Sequence, residues 1–452
     1  MFFTQHKTEP GGRSPRVVIV GGGFAGLNAA KGLAGTAAFV LLLDRTNYHL
    51  FQPLLYQVAT AVLSPSDIAS PIRHILRNQG NAQVGLVQVK KVNLASRQII
   101  LPKGEILYDY LILAAGATHS YFGHEEWGTL APGLKTVEDA LEIRRRVLLA
   151  YEEAEWEGDE AARRAKLTFV VVGGGPTGVE LAGALKEIAS HSIPRDFRFV
   201  DTTTARVILV EAGGRLLSGM PEESGEAARR HLEQMGVEVR LGHRVNDIRQ
   251  GEVLLNGDSL PAWNVIWAAG VRGAPLAQGL GVPLDRNGRI QVNPDLSVPG
   301  YPEVFVVGDL AHVLDPKTEK EVPGVAPAAI QMGLHAARII RSEIQAGDRP
   351  PERMPFQYQD KGTMATIGRN RAVASVKGFK ASGFAAWVLW SLVHIWSLIG
   401  FRKRVFVFFS WLWSYFLYSA NSRLITGEAE IRVREPRRPG DQTDLRFLKD
   451  GS

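Results

Sequence analysis

Two glycine-rich stretches hold the residues best suited to chemistry: Gly21, Gly22, Gly23, Phe24, Ala25, Gly26, and later Gly173, Gly174, Gly175, Pro176, Thr177, Gly178. Each follows an apolar, largely β-branched run (17–20 and 169–172) and opens a stretch of alanines and leucines at helical spacing. Between a strand and a helix, the first glycine of G-x-G-x-x-G makes the tight turn, the second admits a pyrophosphate against the backbone, and the third lets helix and strand pack closely. The helix N-terminus then faces phosphate charge. Downstream of each motif an apolar run ends in an acid: 40–43 in Asp44, followed by Arg45, and 207–210 in Glu211. A carboxylate there accepts hydrogen bonds from ribose hydroxyls. At Glu211 its charge also repels the extra phosphate of NADPH, which favours NADH. A single motif of this kind is as easily a plain tight turn, whereas two matched copies with acidic strand ends point to two bound dinucleotides.

The elements that position these residues are duplicated. Gly21 and Gly173 lie 152 residues apart, and residues 111–116, ending in Ala115 and Gly116, match 265–270, ending in Ala269 and Gly270, at an offset of 154. Two copies of one strand–helix fold explain both offsets. The 33 residues from Gly178 to Glu211 exceed the usual spacing and require a longer helix or a loop around 192–204. A third apolar run, 304–307, ends in Gly308 and Asp309 and precedes a helix-like stretch over 328–344, as a returning strand of the first domain would. Glu180, two residues beyond Gly178, is an acid in the first turn of the second helix. Its plain reading is a carboxylate favoured by the helix dipole.

Composition narrows the chemistry further. At 452 residues with 45% hydrophobic side chains, the chain has material for two or three cores. A net charge of +6 suggests an anionic partner. The absence of cysteine excludes disulfides, thiolate nucleophiles and Cys-ligated metals. Eleven histidines form no H-E-x-x-H and no cluster at ligand spacing, so no metal is expected, and His49, His119 and His394 are read as core or interfacial. No basic stretch interleaved with aromatics resembles a nucleic-acid module. Residues 1–15 are polar and lack the order of a secretory signal, so the bulk of the protein is expected in the cytoplasm.

The least soluble-looking part is near the end. Residues 381–401 contain no Asp, Glu, Lys or Arg across 21 positions; Arg402, Lys403 and Arg404 follow, then the aromatic-rich 405–420. Length alone would allow a bilayer span, which takes roughly 20 apolar residues. Ser391, His394 and Ser397 at three-residue spacing, the spread of Trp387, Trp390, Trp396, Trp411 and Trp413, and the basic triplet favour helices lying in the membrane interface. Each nearby basic residue adds roughly 1 kcal/mol against anionic lipid. A buried dimer interface is the competing reading, and both can hold together.

One dinucleotide domain interrupted by a second and then resumed resembles the glutathione-reductase-like flavoproteins. Within them, the chain looks most like the type II NADH dehydrogenases (NADH:quinone oxidoreductases). The stretches that carry the likeness are 47–59, 173–185, 360–369 and the Trp-rich end; the glycine motifs are widespread, whereas Lys361, Gly362, Thr363, Met364, Ala365, Thr366, Ile367, Gly368 and the aromatic tail are specific to this group. The fold this resemblance implies is α/β, with two Rossmann-like dinucleotide-binding domains, the FAD domain interrupted by the NAD domain, and C-terminal amphipathic membrane-anchoring helices. The expected division is a flexible N-terminus (1–15), a first part of the FAD domain (16–125), an inserted NADH domain (126–275), a second FAD part with a quinone site (276–375), anchor helices (376–425) and a charged tail (426–452).

The resemblance further implies non-covalent FAD held by Gly21, Gly23, Phe24, Ala25, Gly26, Asp44, Arg45, Ala115, Gly116, Asp309 (on the ribityl chain) and Ala326. It implies NADH held by Gly173, Gly175, Pro176, Thr177, Gly178, Glu180, Glu211, Ala269 and Gly270, with Glu180 positioning substrate and assisting proton movement. Hydride passes from NADH to FAD and two electrons then pass to a membrane quinone, ubiquinone or menaquinone, without proton pumping. Relatives that relay electrons through cysteines are a poor match for a chain without any, so a small acceptor must meet the flavin directly. The quinone-side motif of the family, Ala-Gln-x-Ala-x-Gln, reads here Ala326, Pro327, Ala328, Ala329, Ile330, Gln331. The last Gln is kept, and Pro327 replaces a carboxamide with a residue comfortable at a helix start; Lys361 completes the expected quinone set. A homodimer on an anionic membrane surface, at the cytoplasmic face of the cell membrane, is implied. The alternatives are a soluble NADH diaphorase or ferredoxin-type reductase, which the aromatic tail disfavours, and a membrane-bound flavin redox sensor with little turnover, which Pro327 motivates.

Overall fold

The computed structural model describes residues 14–347, 349, 351–376, 378–417 and 423–425. Nearly all of the expected flexible N-terminus and the whole charged tail lie outside the described residues. The first unit runs β1 (Arg16–Val20), α1 (Phe24–Gly32), β2 (Phe39–Asp44), β3 (Ala82–Leu86) and β4 (Tyr110–Leu113). A long helix, α2 (Val137–Trp156), leads to the second unit: β5 (Thr168–Val172), α3 (Pro176–Glu187), β6 (Arg206–Glu211), β7 (Val237–Leu241) and β8 (Asn264–Trp267). The chain then returns through β9 (Ser297–Val298), β10 (Tyr301–Val306) and α4 (Ala326–Ala346).

Strands β1 and β5 are buried on both faces, which is why their sequences run apolar without alternation. The first sheet has the order β9-β10-β4-β1-β2-β3, parallel except for the β9–β10 pair. The second has the order β7-β6-β5-β8 and is wholly parallel. The copies share register as well as order. Val20 lies opposite Leu43, the residue before Asp44, and Val172 lies opposite Val210, the residue before Glu211. Both acids therefore emerge at the carboxyl ends of the strands beside the glycine turns, where doubly wound sheets bind ligands. As the sequence predicts, the 304–307 run returns to the first sheet, with Val304 paired to Leu111.

Beyond α3 the chain spends the extra residues before Glu211 on a π-helical turn, Ile188–Ser192, and a short 3-10 turn, Thr202–Thr204. Close backbone approaches hold the layers together. A Cβ on Gly333 of α4 would sit 2.1 Å from the Ala25 carbonyl oxygen of α1, so only glycine lets the returning helix lie on the first glycine turn. After α4 come a three-stranded antiparallel sheet, β11 (Thr363–Gly368), β12 (Arg371–Val376) and β13 (Phe379–Gly383), and two helices, α5 (Phe384–Ser397) and α6 (Phe401–Leu417).

The uncharged stretch 381–401 is thus divided among β13, α5 and a turn at Gly400, whose φ is +95°. With 14 residues, α5 reaches about 21 Å at 1.5 Å per residue, short of the roughly 30 Å hydrocarbon core. Among the described residues no helix is long and apolar enough to cross a membrane.

Candidate functional site

The two glycine turns have the same anatomy. Gly21 (φ +107°) and Gly173 (φ +113°) adopt a backbone that side chains rarely take. A Cβ on Gly21 would sit 2.2 Å from the Ala114 oxygen, and one on Gly173 would sit 2.7 Å from that of Ala268. Gly26 and Gly178 press on the turns themselves, since a Cβ there would lie 1.9 Å from the Gly21 oxygen and 1.8 Å from the Gly173 oxygen. The middle glycines differ: around Gly23 and Gly175 nothing lies within 4 Å. First and third glycines are packing devices, and the second faces open space at a helix N-terminus. That is the cradle a pyrophosphate requires.

The acids at the two strand ends are engaged by their own loops. In the first copy, Gly22 N donates to Asp44 Oδ2 at 2.5 Å, and Thr46 donates from N (2.7 Å) and Oγ1 (2.8 Å) to Oδ1. In the second, Gly174 N donates to Glu211 Oε2 and Gly213 N to Oε1, both at 2.6 Å. Each carboxylate braces its own glycine turn, a role the motif reading did not include and one that only the register shared by the two sheets makes visible.

Around the first cradle the elements converge as expected. Gly308 packs on Ala25, Asp309 lies 3.7 Å from Lys135 Nζ, and Ala115 and Gly116 follow β4 into the same end of the sheet. Phe24 meets the ring of His49 edge-on at 5.0 Å, and His49 Nδ1 lies 3.0 Å from the Gly22 carbonyl oxygen. Burial lowers the pKa of His49, so it is a neutral core residue, in keeping with its sequence reading. Arg45 is exposed beside Asp44. Around the second cradle, Pro176 and Thr177 are exposed at the helix start, Ala269 and Gly270 follow β8, and Phe122 closes over Gly270. These residues and their cradles are a fit for FAD and a nicotinamide dinucleotide: two open glycine turns, two oriented carboxylates, and a further Asp at the end of the returning strand.

Glu180 lies between the units. A Cβ on Gly183 would meet the Ile367 oxygen at 1.6 Å, so α3 rests directly on β11, and one turn earlier the Thr366 N–H reaches Glu180 Oε1 at 3.4 Å. Burial raises the Glu180 pKa to about 8, with the Thr366 hydrogen bond only partly opposing it. That shift favours the protonated carboxyl near neutral pH. Gly183 escaped the sequence reading because its reason is a carbonyl 184 positions away.

The residues assigned to the acceptor side divide. Pro327 stands at the first turn of α4, and Lys361 is exposed. Gln331 is fully engaged: its Nε2 donates to the Gln359 carbonyl and its Oε1 accepts from the Gln359 N–H, both at 3.0 Å. The amide thus fastens the segment leading to Lys361. Gln359 carried no sequence signal, because its contribution is main chain.

The tail is less outward-facing than its composition suggests. Trp390 is 2% exposed, stacked between His394 (4.2 Å) and Trp411 (5.4 Å), whereas Trp396 is 76% exposed. The Trp411 indole Nε1 donates to Gln57 Oε1 at 2.8 Å. Of the basic triplet, Lys403 donates to the Ala69 carbonyl, and Arg404 donates to the Leu398 carbonyl and covers the Trp396 ring. These two cations are half-buried against the protein itself. Exposed apolar side chains remain at Phe384, Leu392, Trp396, Phe406 and Phe409. Among the described residues no group of acids and histidines is arranged to hold a metal ion.

Comparison with known proteins agrees with this anatomy. Residues 15–333 match the pyridine nucleotide-disulphide oxidoreductase family, and 361–418 match the NDH2 C-terminal domain. The chain is 46% identical to the type II NADH:quinone oxidoreductase Ndh of Mycobacterium tuberculosis over 423 residues, covering 90% of this chain and 89% of that one. It is 44% identical to NdhA of the same organism, covering 89% and 87%. In fold it resembles NDH2 of Plasmodium falciparum, solved with NADH, at a TM-score of 0.82 and 20% identity, covering 92% of this chain and all of that one. With both glycine cradles, their bracing acids and the C-terminal domain in place, the chain belongs to the type II NADH:quinone oxidoreductase family.

Proposed function

We propose that this protein oxidises NADH through bound FAD and reduces a membrane quinone, ubiquinone or menaquinone, without pumping protons. The observation that carries the reading is the pair of open cradles at Gly23 and Gly175, with a half-buried Glu180, its pKa raised, where the inserted unit meets β11. FAD supplies the hydride acceptor and the two-electron donor, so the protein has only to hold, orient and exclude water. Gly21–Gly26 with Asp44, Arg45, Ala115, Gly116, Asp309 and Ala326 hold the flavin nucleotide; residues 173–178 with Glu211, Ala269 and Gly270 hold NADH. Reducing a quinone to a quinol takes two electrons and two protons, of which the hydride accounts for one. Glu180 is the residue we assign to the other, because its raised pKa favours the protonated form near neutral pH. The Gln331–Gln359 clamp orients the segment that ends in Lys361, and we read Pro327, Gln331 and Lys361 as the quinone side.

In this reading, 16–125 and 276–375 form the flavin domain, 126–275 the NADH domain and 376–425 the anchor. The exposed face of α5 and α6 favours a monotopic anchor at the cytoplasmic face of the cell membrane, with tails paired in a homodimer on an anionic surface. With Lys403 and Arg404 turned inward, apolar insertion outweighs charge in that attachment. The test is steady-state oxidation of NADH and NADPH by the purified flavoprotein, with and without short-chain ubiquinone and menaquinone analogues. Rapid NADH oxidation that depends on quinone, with NADPH poor, is the expected result. Flavin reduction by NADH without quinone turnover would overturn the acceptor assignment.

A further inference from the structure

Two opposite charges face each other beyond the returning strand without bonding. Lys135 Nζ lies 3.7 Å from Asp309 Oδ2, and the two side chains are 17% and 27% exposed. A charge-assisted hydrogen bond between such groups closes to about 2.7–2.9 Å. Among the described residues, neither charged group has a hydrogen bond to another side chain or to the main chain. The main chain of Lys135, by contrast, is fixed at both of its polar groups. Its N–H donates to Asp139 Oδ2 at 2.9 Å, and its carbonyl accepts from Gln52 Nε2 at 3.0 Å. Asp139 is in turn the capping acid of α2, taking the Thr136 N–H at 2.9 Å and lying 3.1 Å from His119 Nε2. A lysine anchored at its backbone, with an ammonium that makes no hydrogen bond, is set for a partner of another kind.

The chemistry of that partner follows from what the two groups can exchange. An ammonium only donates and a carboxylate only accepts, whereas a hydroxyl does both. A chain of hydroxyls can take a hydrogen bond from Lys135 and give one to Asp309 across the same gap, leaving neither half-buried charge short of a partner. The ion pair alone, held apart at this distance, contributes little. Of the two dinucleotides proposed above, FAD carries an open chain of hydroxyls, and Asp309 is the residue already assigned to it. We infer that Lys135 is a second holder of the ribityl chain of FAD, its ammonium donating to an oxygen of the chain while Asp309 accepts from a hydroxyl. This rests on the assignment of the first cradle to FAD. The contact has a further consequence. Lys135 stands in the segment leading out of the flavin unit, two residues before α2, and Asp309 lies just beyond the returning strand β10. One ligand held by both braces the outgoing and returning connections together, at the place where the NADH unit is inserted.

The experiment is a dilution series of the flavin-loaded full chain, in which the fluorescence of released FAD gives its dissociation constant, alongside urea unfolding at saturating FAD. Lys135→Met, which keeps an unbranched side chain of similar reach, should weaken FAD binding about tenfold or more, the value of one hydrogen bond to a charged group. Lys135→Arg should restore most of that affinity, because a guanidinium also donates. The same change is then made in Asp309→Asn. A lysine that serves only to balance the Asp309 charge matters no longer once that charge is gone, whereas one that bonds the cofactor leaves Lys135→Met weakening FAD about tenfold there too. Where Asp309→Asn does not load flavin, Gln52→Leu takes its place: by freeing the Lys135 carbonyl it should weaken FAD binding in the Lys135 chain and not in the Lys135→Met chain, and equal losses in the two overturn the contact. An unchanged dissociation constant in Lys135→Met, or a loss that disappears in Asp309→Asn, also overturns it. So does a Lys135→Met chain that unfolds at lower urea while its FAD affinity holds. A wild-type chain that carries no FAD overturns the flavin reading, and this contact with it.

Discussion

Substituting alanine at two neighbouring glycines of one turn separates a nucleotide cradle from a packing device. Gly175 has φ −73° and ψ 180°, a conformation alanine adopts freely, and nothing lies within 4 Å of its added methyl group. Gly175→Ala should therefore cost the fold nothing and, by restricting the unfolded chain, stabilise it by about 0.4–1 kcal/mol. The same methyl stands where a pyrophosphate must approach the backbone. Loss of one hydrogen bond to a charged oxygen, on the order of 1.5–3 kcal/mol, raises the KM for NADH at least about tenfold. At Gly178 the added carbon would lie 1.8 Å from the Gly173 oxygen, which belongs to a strained turn locked against Ala268. The helix must shift, and overpacking against backbone costs about 1–3 kcal/mol or more. Urea unfolding of the flavin-loaded enzyme, with flavin content as the control, and NADH titration of the rate distinguish the two. Equal destabilisation by both changes, or an unchanged KM in Gly175→Ala, would refute the argument that the middle glycine is kept for a ligand.

Other changes follow from the same geometry. Glu180 is protonated below its pKa of about 8 and loses that proton above it, so quinone reduction should fall as pH rises through that value, and Glu180→Gln should abolish the inflection. Gln331→Leu removes both hydrogen bonds to Gln359, whose exposed main-chain groups water can then pair; thermal unfolding should show a loss of about 1 kcal/mol or less, and the KM for quinone should rise while that for NADH holds. Trp396→Ala removes an indole that is 76% exposed and should weaken sedimentation with lipid vesicles without lowering stability, whereas Trp390→Ala, at a 2% exposed ring, should cost about 3–5 kcal/mol.

What could be read from the chain alone were features whose cause is local or repeated. Gly21 and Gly173 announce themselves because a strand, a turn and a helix must meet within ten residues, and the second copy makes coincidence implausible. Asp309 was legible for the same reason, as the end of an apolar run. Gly183, Gly333 and Gln359 were not, because what each one meets, the Ile367 oxygen, the Ala25 oxygen or the Gln331 amide, lies far along the chain or is itself main chain. Composition set the tail apart as uncharged and aromatic but could not say which indole turns inward; that is decided by Trp390 stacking between His394 and Trp411.

The two acids do structural work that the motif reading did not assign to them. Asp44 and Glu211 each satisfy the N–H of the middle residue of their three-glycine run, so the turn is already shaped before a nucleotide arrives. A ribose bound there as proposed would meet the remaining lone pairs of a carboxylate whose orientation is fixed by the loop it stabilises. Preorganisation of this kind reduces what binding must spend on ordering the loop. If Glu211 sets nucleotide preference as proposed, that preference is tied to loop integrity: the charge that would turn away the additional phosphate of NADPH is the same charge that holds Gly174 and Gly213. Neutralising that carboxylate would therefore act on the cradle as well as on any choice of nucleotide made at Glu211.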